Sequence, residues 1–141
     1  MSLGICIIAH EPLASALKSA VQHIFSSTKD TDCNDIACFD VPNNVDVETG
    51  ENYAKELVVP LLQHHDGVLI FTDILGATPS NIAHTLLSQA NVRVITGVNL
   101  PALVVALTHP TGSLASITAL AEGAARSGIT ASTMPTTHQS E

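Results

Sequence analysis

The chain has 141 residues, 45% of them hydrophobic, and a formal net charge of −8 at pH 7. That length suits one domain with a substantial core, and the negative balance argues against nucleic acid or anionic lipid as a partner. No apolar run is long enough to span a membrane and no basic segment precedes the first one, so neither direct membrane insertion nor a secretory leader is expected.

The first apolar run, residues 3–8, predicts a buried strand. Cys6 falls inside it as a small core residue. Together with Cys33 and Cys38 it makes an odd set without metal-ligand spacing, as expected of reduced thiols in a cytoplasmic protein. His10 follows at the end of the strand, and Pro12 suits the opening of a helix. Over 13–25 the apolar positions Leu13, Ala16, Leu17, Ala20, Val21, Ile24 and Phe25 have helical spacing with one buried face. Residues 26–34 are polar and predict a loop. A second strand is expected over 36–41, broken by Pro42, Asn43 and Asn44. The segment 47–63 reads as a helix with Tyr53, Leu57, Val58, Leu61 and Leu62 facing inward. Pro60 is expected to kink or divide it.

The most informative stretch comes next. Gly67–Thr72 has no polar alternation and predicts a strand buried on both faces. Asp73 stands at its carboxyl end, and Gly76 and Ala77 permit a tight turn. Thr78 is expected as N-cap, Pro79 as the first helical residue, and helix over 79–89. Helix N-termini in open parallel sheets favour anions, phosphate above all. Gly76, Ala77, Thr78 and Ser80 are therefore the candidate phosphate-binding residues. His10 and Asp73 meet at one sheet edge if their strands are parallel neighbours. The carboxylate would then keep one ring nitrogen protonated and leave the other as nucleophile for a phosphoryl group. The bland readings are a surface histidine, an aspartate bonding to local N–H groups, and turn and cap residues without a ligand.

The remainder predicts a strand at Val92–Thr96, a turn at 97–99, a helix opened by Leu100 and Pro101 and ending near His109 and Pro110, and a last helix capped by Ser113 and ended by Gly128. A short strand is expected over 129–133 and a flexible tail over 134–141, giving a domain at 1–133. His64, His65 and Asp66 are adjacent, a poor arrangement for chelation, and no metal or cofactor is expected. The 76–81 turn lacks the lysine and glycine spacing of a nucleotide-binding loop. Strands alternating with helices define an α/β class with an open, mainly parallel four-stranded sheet covered on both faces.

Three blocks carry a family resemblance. Ile7-Ile8-Ala9-His10, then 72–81 (TDILGATPSN), then 94–101 (VITGVNLP) together resemble the IIA component of the mannose family of the bacterial sugar phosphotransferase system. The likeness runs over about 2–130. It departs from the family at Glu11, where a glycine is usual, and at Ala77, where a second glycine is common. The resemblance implies a flavodoxin-like strand order and a homodimer exchanging the C-terminal strand. It implies phosphotransferase activity through a phosphohistidine at His10, the histidine phosphocarrier protein as donor and a IIB component as acceptor. Two other roles share these features: a regulatory protein read by a partner according to its phosphorylation, and the phosphotransferase subunit of a dihydroxyacetone kinase.

Overall fold

The computed structural model describes residues 2–28, 31–109 and 111–135. Four parallel strands, β1 (Leu3–His10), β2 (Ala37–Val41), β3 (Gly67–Thr72) and β4 (Val92–Thr96), form one sheet in the order β2-β1-β3-β4. The helices are α1 (Leu13–Ile24), α2 (Val47–His64), α3 (Thr78–Thr85), α4 (Leu100–Leu107) and α5 (Leu114–Ser127), with one 3-10 turn at Leu86–Ser88. The fold is the expected doubly wound α/β sheet.

Side-chain alternation along β1 explains the two layers. Ile5, Ile7 and Ala9 join Leu69 and Phe71 in a core with residues of α1, α4 and α5. Cys6 and Ile8 join Val68 and Ile70 against Ala54 and Val58 of α2 and Ile82 and Ala83 of α3. Every residue of β3 is buried, as its unbroken apolar run requires. The three cysteines are free thiols, and burial pushes Cys38 up to about 11 and Cys6 higher still. They are inert packing groups.

Several details differ from the sequence expectations, each for a local reason. α2 runs unbroken through Pro60. Pro60 and Glu56 both face solvent, where a carbonyl without its helical partner costs least. Tyr53 lies on the exposed side of α2, its ring 4.5 Å from that of Phe39. α3 starts one residue early and tightens into the 3-10 turn before residue 89. After α5 the chain has no regular structure over 129–135, so within a single chain no fifth strand joins the sheet. The tail beyond 135 lies outside the described residues.

Close approach explains the glycine in α2. A Cβ on buried Gly50 would collide with the Ile82 side chain, so its absence is what lets α2 and α3 pack together.

Candidate functional site

His10 is the last residue of β1, a strand bonded on one side to β2 and on the other to β3. The residues before it are buried, and its own side chain emerges 51% exposed. Asp73 follows β3 directly and its side chain is 9% exposed. His10 Nδ1 lies 2.7 Å from Asp73 Oδ2, and the His10 backbone N–H donates to the same oxygen at 2.8 Å. The other carboxylate oxygen accepts the Ile74 N–H at 2.9 Å. Partial burial opposes the charge on Asp73, but the hydrogen bonds from His10 and Ile74 and the attraction of His10 outweigh it and hold the carboxyl below its usual range. A carboxylate on Nδ1 makes that nitrogen the donor. The other nitrogen, Nε2, then keeps its lone pair.

The β4–α4 turn supports this edge. Gly97 donates its N–H to the carbonyls of Thr72 (3.0 Å) and Asp73 (2.9 Å), with φ of 84° that favours glycine.

Four helices begin on this side of the sheet, and their first turns are not alike. In α2 the Asp46 carboxylate accepts the Thr49 N–H at 2.7 Å. In α4 Asn99 Oδ1 accepts the Ala102 N–H at 3.1 Å. In α1 a residue of β2 does this work: Asp40 accepts the Ser15 N–H at 3.0 Å and the Ser15 hydroxyl at 2.6 Å. Only α3 has no side-chain cap, because its N-cap is Ala77. An alanine offers no oxygen to the third N–H of the helix, so the backbone N–H groups of Thr78 and Ser80 have no intrahelical acceptor. The uncapped start is thus the one nearest in sequence to Asp73.

The structure places the expected phosphate-binding residues as follows. Gly76 is exposed with φ of 90°, a conformation that needs glycine. Ala77 is the N-cap and Thr78 the first helical residue, a correction of one position to the expected cap. Ser80 is fully buried, with its hydroxyl 3.3 Å from His84 Nδ1, so neither its hydroxyl nor its backbone N–H has surface at the edge. Asn81 turns back to the Gly76 carbonyl at 3.4 Å. Asn99 is committed to capping and to the Ala125 carbonyl. His65 sits away from this edge, 2.9 Å from Ser2 Oγ.

Two features went unread in the sequence. The Asp40–Ser15 pair joins residues on different elements, and only the β1–β2 register brings it together. Ile74 and Leu75 are exposed at 63% and 74%. Two large apolar residues between an acid and a turn glycine were the available signal.

Fold and edge together define a small doubly wound α/β domain that presents a carboxylate-held imidazole beside an open helix start. Residues 4–124 match the family model described as PTS system fructose IIA component, and the chain belongs to that family. Membership gives it a role as a component of a sugar phosphotransferase system. Among solved structures it is similar to the mannose/sorbose-specific IIA subunit from Enterococcus faecalis, at 19% identity and TM-score 0.79, covering 96% of this chain and 98% of that one. It is similar to the phosphotransferase component EIIA from Streptococcus agalactiae, at 17% identity and TM-score 0.75, covering 92% and 96%. A third is the PTS IIA protein associated with the fucose utilization operon of Streptococcus pneumoniae, at 25% identity and TM-score 0.71, covering 87% and 90%. No curated protein sequence matches the chain. Among the described residues no helix is long and apolar enough to cross a membrane.

Proposed function

We propose that the chain is a cytoplasmic phosphoryl carrier that accepts a phosphoryl group on His10 Nε2 from the histidine phosphocarrier protein and passes it to a IIB component. The observation that carries this reading is the 2.7 Å contact between His10 Nδ1 and Asp73, which commits one ring nitrogen and leaves the other as nucleophile. In the transfer the P–N bond of the donor's phosphohistidine breaks as the bond to Nε2 forms. The ring becomes cationic while Asp73 holds the Nδ1 proton and balances the charge. The N–H of Thr78 at the open start of α3, on a backbone turned by Gly76 and Ala77, binds a phosphoryl oxygen. One such donor is worth about 3 kcal/mol in a transition state. No metal or cofactor has a part in this scheme.

The carrier domain is residues 1–133. β4 is an edge strand, and Ile129 lines a groove of about 340 Å³ along it with Thr96 and Arg126. This supports a homodimer in which 129–133 pair with the partner subunit's sheet.

The test is incubation of the purified chain with phosphorylated histidine phosphocarrier protein. An acid-labile phosphate is expected on the parent protein and none on His10→Ala. Equal labelling of the two would overturn the assignment of His10.

A further inference from the structure

The edge of the sheet where the strands begin, opposite His10, holds a cavity of about 420 Å³. Leu3 lines it and His10 ends the same strand, about 23 Å away at the usual rise per residue. The floor is the underside of the core shared by α1, α4 and α5. Ile5, Ile36 and Ala106 are buried members of that core, and Leu3 and Leu107 pack against them. The volume falls in the range of small-molecule sites, and an apolar floor with a few polar groups is their usual composition.

The polar groups around this floor are acceptors. Asp32 and Asp35 stand exposed at its rim, and no lysine or arginine lines it. Lys18 donates to the Asn34 carbonyl at 2.9 Å and forms no ion pair with either aspartate. Asp32 Oδ1 accepts the Asn34 N–H at 2.9 Å, and Asp35 Oδ2 lies 3.9 Å from His65 Nε2. At the end of α4 the donors are already engaged. The Thr108 hydroxyl donates to the Val104 carbonyl at 3.0 Å, and His109 Nδ1 donates to the Val105 carbonyl at 2.8 Å. A neutral His109 so bonded keeps Nε2 as an acceptor. The carboxyl end of α4 adds the negative pole of its dipole. Acidic residues alone would be an ordinary solvated face. Here they rim an apolar cavity whose hydroxyl and imidazole donors on α4 are turned inward.

We propose that this cavity binds a small organic cation, a primary ammonium carried on an apolar body. The body covers Ile5, Ile36 and Ala106, and the ammonium faces Asp32 and Asp35. An anion would meet two carboxylates and a helix carboxyl end, and an uncharged ligand would leave the carboxylates without a partner. The site is separate from the His10 edge and does not depend on the carrier reading.

The test titrates the full chain with 2-phenylethylamine, and with 2-phenylethanol as the uncharged molecule of the same shape. Amide chemical shifts report both affinity and place. Saturable binding of the amine is expected, with shifts at residues 3–5, 31–36 and 106–109, weakened by added salt. The alcohol is expected to bind more weakly. Asp35→Asn should weaken the amine about fivefold, and the double variant with Asp32→Asn further. Both side chains are exposed, and thermal unfolding confirms that the variants fold. His10→Ala should bind the amine as the parent does. Equal affinity for amine and alcohol, no saturable binding of the amine, or binding lost in His10→Ala would overturn the proposal.

Discussion

Asp73 Oδ2 receives both the backbone N–H and the ring Nδ1 of His10, at 2.8 and 2.7 Å, so one oxygen fixes where the residue sits and how its ring is turned. Asp73→Asn keeps the shape and removes the charge. Hydrogen bonds to a charged group contribute about 1.5–3 kcal/mol, so the rate of His10 phosphorylation is expected to fall about tenfold to a hundredfold. Rapid-quench labelling with the protein donor measures this. The same carboxyl titrates lower in the folded chain than in the unfolded one. Its contribution to stability is therefore complete above the unfolded value of about 3.9 and is lost as pH falls through the folded value. Urea midpoints at pH 7 and pH 3 should differ less in Asp73→Asn than in the parent.

Glu11 occupies the position directly after His10, its backbone N–H tied to the Val41 carbonyl at 3.1 Å and its side chain exposed. A carboxylate there repels an incoming phosphoryl group. Glu11→Gly is expected to be phosphorylated faster, or to keep its phosphohistidine longer, than the parent. Pulse labelling followed by a chase measures both, and equal rates and lifetimes would remove the effect.

Ala77→Ser should separate stability from activity. A serine N-cap satisfies the Ser80 N–H and stabilises the helix by about 1 kcal/mol. It also puts a hydroxyl at the open helix start, where the phosphoryl oxygens would sit. The expected outcome is a higher unfolding midpoint and slower labelling of His10. If both rise together, the open helix start has no part in the transfer.

Gly50→Ala places a methyl group against Ile82 in the contact between α2 and α3. Overpacking of this kind costs about 1–3 kcal/mol. Thermal unfolding of the single variant, and of the pair with Ile82→Val, checks it. The shorter side chain is expected to recover part of the loss.

Asp40→Ala removes the oxygen that β2 lends to the start of α1. The loss should be about 1 kcal/mol, with Asp40→Asn recovering most of it because an amide oxygen still caps. Chemical denaturation of the three proteins measures it.

Much of the architecture was legible because each strand is an apolar run closed by a turn residue. Gly67–Thr72 was readable to the residue: a strand buried on both faces cannot alternate, and glycine and aspartate bound it. The expected cap at Thr78 missed by one position because the helix start is set by the extended backbone of Ala77 after the turn at Gly76. Composition does not encode that geometry. Pro60 misled because the cost of a helical proline depends on whether the freed carbonyl reaches water. For the site, the residue types at His10 and Asp73 were visible, but their meeting depends on β1 and β3 being neighbours. Sequence pattern alone did not supply that order, which came with the family resemblance. The Asp40–Ser15 pair stayed hidden for the same reason, since neither residue stands out until β2 is set beside β1.

β1 is flanked by hydrogen-bonded strands, so the Cα of His10 is a fixed post. On the proposed reading of His10 as carrier, a ring on such a post would not swing between a giver and a taker on opposite sides of the molecule. Cargo would then arrive and leave through one doorway, and traffic at this edge would be sequential: one visitor would have to clear the threshold before the next could stand there.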